Sequence, residues 1–225
     1  MEDVFPRVVF TFFGIPVRDT VISTWVMMII VIGIAIWLQR RYPMALEMLV
    51  DFINDLIVDI MGRSAAPFLP LLSALAIFIA VANIIGVVPF LIAPTRDVNT
   101  PLALALVVFF SVHYFGIRSK GVYHYLRDMA SPIYLLPLEI VSQLTRTLSL
   151  TLRLFGNILS TEMIIAVIFV LAPLFVPLPL VGLSIFVGLL QAYIFTALAA
   201  VYIVAGLEAN TSSSNSSTKK GEKYV

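Results

Sequence analysis

Residues 20–38 (TVISTWVMMIIVIGIAIWL) contain no charged side chain. As a helix this run is about 28 Å long, enough to cross the hydrocarbon core of a bilayer. The stretch between Arg63 and Arg96 is also free of charge, and so are residues 98–117. Backbone polar groups inside lipid must be satisfied within the chain, so runs of this kind demand helices. Of the 225 residues, 60% are hydrophobic and 12% are charged. A soluble domain carries about 25% charged residues. That shortfall excludes a soluble monomer and a disordered chain, both of which need more polar surface. The sequence predicts an all-α integral membrane protein with about five membrane-crossing helices and one interfacial amphipathic helix.

The expected spans are about 20–38, 68–93, 100–117, 132–172 and 180–207. Together with the interfacial helix they form one membrane-embedded domain over residues 1–207. The first span is no signal peptide: no basic region precedes it, and Arg40 and Arg41 follow it. Residues 208–225 read as a polar, disordered tail. The segment 43–62 differs from the spans. Glu47, Asp51, Asp55 and Asp59 recur every four residues, and Leu46, Val50, Ile53, Ile57 and Ile60 fill the other side. That is a helical period with an acidic stripe, expected in the membrane interface or packed on neighbours. A row of ion-binding carboxylates is the sharper alternative, but no glycine-rich loop or clustered spacing supports it.

Basic residues orient the chain. Arg40 and Arg41, the cluster Arg118, Lys120 and Arg127, and the tail lysines 219, 220 and 223 should be cytoplasmic. The N-terminus and the Arg96–Asp97 turn then lie outside. A net charge of +1 gives no basis for a nucleic-acid partner. With no cysteine and only two histidines, His113 and His124, no metal site and no thiol chemistry is expected. His113 reads as interfacial.

The last two spans break the simple pattern. Helices over 132–172 and 180–207 would be about 60 and 42 Å long, more than the hydrocarbon core requires. They should tilt strongly and form a slanted hairpin, with Pro173, Pro177 and Pro179 breaking the chain between them. The first of them also holds Glu139, Ser142, Arg146, Arg153, Asn157 and Glu162. An arginine at the centre of a membrane helix costs at least about 2.5–3.5 kcal/mol, so such residues mark an internal pair or an ion pathway. Glu139, Arg146 and Arg153 are spaced by seven and share a face to within about 20° per step. Ser149, Arg153, Gly156 and Ser160 share a face of mostly small residues that another helix can approach closely. Glu162 lies about 180° around the helix from Arg153, so the two cannot pair directly. One is expected to face a partner, the other the last helix or a watery cavity. Gln191 on that last helix has two readings, an interhelical hydrogen bond or a place on the pathway.

The run LEIVSQLTRTLSLTLRLFGNILSTE (138–162), with Leu152-Arg153-Leu154-Phe155-Gly156-Asn157 at its core, closely resembles a signature of subunit a of the F-type ATP synthase membrane sector. The run NIIGVVPFLIAPTRDVNT (83–100) resembles a second signature, and LLQAYIFTALAAVYI (189–203) a third. Together these blocks lie within a resemblance running from about residue 20 to 207. It implies the stationary half of a rotary ion motor in a bacterial inner (plasma) membrane, with the C-terminus cytoplasmic. Its implied partners are the c-subunit ring, the b subunits of the peripheral stalk and the lipid bilayer. It implies no cofactor, and no catalysis by this chain alone. Arg153 matches the essential arginine that faces the ring. Glu139, Ser142, Arg146, Asn157, Glu162 and Gln191 match polar positions of two aqueous half-channels or neighbours of the arginine.

One position departs from the resemblance. Many members carry a histidine on the last helix opposite the residue matching Glu162, and here that position is Ser184. Water or Ser184 would then complete the path. Proton is the ion expected, with sodium as the alternative. A secondary transporter of a different kind should show two related halves, and no internal repeat is visible in the sequence. A purely structural anchor would not need charges inside the bilayer.

Overall fold

The computed structural model describes residues 8–12, 15–62, 66–86, 93–129, 136–171 and 177–208. A short antiparallel hairpin, β1 (Val8–Phe12) and β2 (Ile15–Arg18), opens the chain. Among the described residues seven helices follow: α1 Asp19–Arg41, α2 Pro43–Met61, α3 Leu69–Ile85, α4 Asn99–Lys120, α5 Val122–Met129, α6 Leu136–Leu171 and α7 Pro177–Glu208. A 3-10 turn, Pro94–Arg96, precedes α4. The body is helical, as the apolar runs require. The hairpin is a feature for which the hydropathy pattern gave no warning.

Local chemistry sets the helix ends. Asp19 lies in the first turn of α1, and Arg40 and Arg41 lie in its last turn, each complementing the helix dipole. Pro43 starts α2 at once, because a first-turn proline has no N–H to waste. Gly62 stops α2 at φ 58°, a left-handed conformation that glycine adopts without a Cβ clash. The same rule corrects the expected start of α7. Pro177 and Pro179 were expected to break the chain, but they occupy the first turn of a helix that begins three residues earlier than predicted. In α6, Pro137 likewise sits in the first turn, after Leu136.

α1, α4, α6 and α7 are long and apolar enough to cross a membrane. α6 and α7, at 36 and 32 residues, measure about 54 and 48 Å. This is a multi-pass membrane protein. The expected span 68–93 appears as the shorter α3, 17 residues ending at Ile85, and residues 87–92 lie outside the described set. The expected tail also lies outside it beyond residue 208. Helix α2 matches the amphipathic expectation. Ile53, Ile57 and Met61 are buried, while Glu47, Asp51, Asp55 and Asp59 are exposed.

The core is made by α3, α4, α6 and α7. Leu72, Leu75, Ile79, Ala105, Val108, Leu150, Leu154, Phe195, Ala199 and Ile203 are buried in it. Helices α6 and α7 touch, but each packs more extensively elsewhere, α7 on α3 and α6 on α4. Small residues explain the close α3–α7 contact. A Cβ on Gly188 would stand 2.8 Å from the Asn83 Cβ, and the Asn83 amide donates a 2.8 Å hydrogen bond to the Gly188 carbonyl. Further along α7, Gly206 admits Val112 of α4 in the same way, with 2.7 Å between a would-be Cβ and the valine methyl. Long apolar side chains on α1, including Trp25, Ile29 and Trp37, point outward, as a lipid-facing surface requires.

Candidate functional site in the long helices

Helix α6 has two unlike sides. Leu150, Thr151, Leu154 and Ile158 are buried against the rest of the chain. Ser149, Arg153 and Ser160 are exposed, and a Cβ on Gly156 would meet nothing within 4 Å. The stripe of small residues around Arg153 therefore faces away from the protein's own core. Among the described residues the Arg153 guanidinium has no hydrogen bond and no ion pair.

The row Glu139, Arg146, Arg153 rotates as helical geometry dictates. Its seven-residue steps fall short of two full turns by about 20° each. Glu139 is half-buried and accepts a 3.0 Å hydrogen bond from the Gln143 amide. Arg146, also half-buried, lies over the Tyr202 ring of α7, 5.1 Å from its centroid, a cation–π arrangement. Only Arg153 is exposed. One sequence spacing thus carries the row from the packed side of α6 to its open side.

Several polar side chains of α6 satisfy themselves. Thr145, Thr147, Thr151 and Thr161 each donate to the carbonyl four residues earlier, at 2.8–3.0 Å. Ser142 and Asn157 are half-buried, as is Ser184 on α7. Gln191 of α7 is buried at 6% exposure, and its Nε2 has no hydrogen-bond partner among the described residues. A buried donor without a partner costs about 1–3 kcal/mol, so this amide is held there by packing.

Glu162 is where the structure adds most. The sequence left it facing a partner, the last helix or a watery cavity. Its carboxylate pairs with Arg96 of the 3-10 turn, Nε to Oε2, at 3.0 Å. The neighbouring Asp97 is 5% exposed and ties the same turn to the start of the chain. The Arg18 guanidinium donates to both its oxygens at 2.9 and 2.7 Å, the Thr20 hydroxyl at 3.4 Å, and the Asn99 backbone N–H and side-chain amide at 3.3 Å. Adjacent residues of opposite charge thus link the turn to α6 on one side and to the β2–α1 junction on the other. The sequence signal was an Arg–Asp pair ending a long apolar run, but spacing alone named no partner for either.

At the opposite end of the bundle, Tyr125 of α5 lies over Gly116 of α4, its ring 6.0 Å from that of His113. Burial pushes the Tyr125 phenol above its ordinary range, and the Glu139 carboxylate adds to that. Glu139 therefore belongs to this end, with His113 and Tyr125, and Glu162 to the other. No group of three or more histidine, aspartate or glutamate side chains suited to a metal occurs among the described residues.

The ATP synthase A chain family matches residues 21–204, which spans α1 through α7. The chain belongs to that family. It is 48% identical over 201 residues to ATP synthase subunit a 2 of Bradyrhizobium sp., covering 86% of this chain and 90% of the relative. It is 40% identical to ATP synthase subunit a 2 of Pelobacter propionicus, over 85% of this chain and 88% of the relative. With ATP synthase subunit a 1 of Hahella chejuensis it shares 37% identity, over 91% and 90% respectively. The matched region contains Arg153, Glu162, Ser184 and Gln191, and it also contains Arg96.

Proposed function

We propose that this chain is the stationary ion-path subunit of a rotary ATP synthase. In this reading it passes protons to and from carboxylates on a rotating c ring and is held by the b subunits of a peripheral stalk. The observation that carries the reading is the exposed, small-residue face of α6 around Arg153, in a chain whose relatives are named as ATP synthase subunit a. The basic clusters favour an orientation with the N-terminus outside and the C-terminus cytoplasmic. The outer half-channel then lies near Glu162 and the Arg96–Asp97 turn, and the inner one near Glu139, His113 and Tyr125. Asn157, Gln191, Ser142, Arg146 and Ser184 are assigned as polar lining between them.

The chemistry follows from charge in a low dielectric. A rotor carboxylate can cross lipid only when neutral. A proton arriving from outside neutralises it, and the ring advances. As the proton leaves on the inner side the carboxylate becomes an anion, and Arg153 stabilises that anion. Its fixed charge also repels cations that would leak straight from one half-channel to the other. Arginine suits both tasks because it remains protonated, whereas a buried lysine can neutralise. The membrane potential contributes about 2.3 kcal/mol per charge per 100 mV.

The test is disulfide trapping, which is clean because the chain has no cysteine of its own. Cysteines at Ser149 or Gly156 should cross-link to a cysteine on the outer face of the rotor helix. A cysteine at Leu154, which is fully buried, should not. Cross-linking at Leu154 with none at Ser149 or Gly156 would overturn the face assignment and the reading with it.

A further inference from the structure

We propose that Arg96 is a positioning residue of the outer path: it pairs with the Glu162 carboxylate and holds it oriented, so that an incoming cation is passed on rather than trapped there. The inference deepens the ion-path reading above and rests on it. Three observations carry it. The first is the contact itself. Arg96 Nε lies 3.0 Å from Glu162 Oε2, and the two side chains are only 14% and 26% exposed, so water screens the pair weakly. The second is that the arginine cannot drift. Pro94 and Thr95 beside it are fully buried, and Asp97 on its other side is held by Arg18, Thr20 and Asn99. The third is the neutrality of the other elements packed on α6. Helix α7 carries no charged side chain over residues 177–207, with Ser184 offering only a hydroxyl, and α4 carries none over residues 99–117. Arg96 is therefore the cation that the surrounding elements present to Glu162.

A carboxylate removed from water binds a proton or other cation tightly, because burial penalises its charged form. A relay group that binds tightly releases slowly. An arginine at hydrogen-bond distance favours the anion and so opposes tight retention of a bound cation. Arginine cannot give up its own proton at working pH, so it tunes the relay without joining it. Glu162 is then the group that binds and releases, and Arg96 acts only through it.

The experiment uses the whole complex in inverted membrane vesicles, with ATP-driven ion uptake measured per assembled complex. Arg96→Gln should slow uptake about ten-fold, and Arg96→Lys, which keeps the charge, should restore most of it. The double variant Arg96→Gln with Glu162→Gln should be no slower than Glu162→Gln alone, because the arginine's effect on transport runs through that carboxylate. Uptake by Arg96→Gln near that of the unaltered chain would overturn the proposal. So would a double variant whose two losses simply multiply. If Arg96→Gln does not assemble, Arg96→Lys decides, and it must assemble and transport at a rate close to the unaltered chain. Arg153→Ala is run in parallel. If it abolishes uptake while Arg96→Gln does not slow it, this inference alone fails. If Arg153→Ala transports normally, the underlying ion-path reading fails.

Discussion

Replacing Arg153 with alanine should abolish ATP synthesis driven by an imposed ion gradient, while the complex still assembles. The side chain is exposed on the open face of α6 and makes no hydrogen bond or ion pair among the described residues, so its loss should cost little stability. In the proposed motor, its interaction with a rotor carboxylate is another matter. Two unit charges about 4 Å apart at an effective dielectric of about 20 attract by about 4 kcal/mol. That corresponds to about three orders of magnitude in the population of the ionised rotor site. Passive ion leak should stay the same or rise, because the charge that blocks the shunt is gone. Arg153→Lys should also be severely impaired: it keeps a charge but loses the planar fork of donors, and burial against the ring lowers a lysine pKa. Vesicles carrying Arg153→Ala that synthesised ATP at a near-normal rate would sink the mechanism, whatever the family relationship.

A second large effect is expected far from any charge. Gly188→Val should prevent α3 and α7 from closing on each other. Even the first added carbon would stand 2.8 Å from the Asn83 Cβ, well inside contact distance, and the branched side chain adds more. Overpacking of this kind costs about 1–3 kcal/mol. Forcing the helices apart also breaks the hydrogen bond from the Asn83 amide to the Gly188 carbonyl, at about 1 kcal/mol more. The yield of the chain co-purifying with its complex should fall sharply, and Gly188→Ala should fall between the two. Gly182 on the same helix has nothing within 4 Å, so Gly182→Ala should be silent. Equal yields for Gly188→Val and Gly182→Ala would show that the two helices do not pack as described.

Much of the arrangement of α6 was legible before any tertiary contact was known. Helical rotation is a local property of the backbone, so the nine-residue separation of Arg153 and Glu162 already put them on opposite sides. The structure agrees, with Arg153 on the open face and Glu162 half-buried against the Pro94–Arg96 turn. The acidic stripe of α2 was legible for the same reason, and its four carboxylates are exposed. Turn chemistry was less transparent. Pro177 and Pro179 looked like breakers because a proline inside a helix costs a hydrogen bond, yet in the first turn there is none to lose. The opening hairpin was missed because its short strands carry no hydropathy signal comparable with the helices that follow.

The sequence by itself determined the fold class, the long apolar helices, the faces of α6 and the family. Each of these follows from composition, from the 3.6-residue period or from contiguous motifs, all readable along one strand of chain. Only the tertiary structure decided that α7 lies chiefly on α3 and α6 on α4, that Asp97 holds Arg18 across 79 positions, and that Arg96 meets Glu162. The physical reason is the solvent. In water, an apolar face must turn inward, and pattern alone orients a helix. In lipid, an apolar side chain is equally content against hydrocarbon or against another helix, so hydrophobicity does not choose the face. The choice falls to close packing at small residues such as Gly188 and to charges that must find a partner, and neither is visible until the helices are side by side.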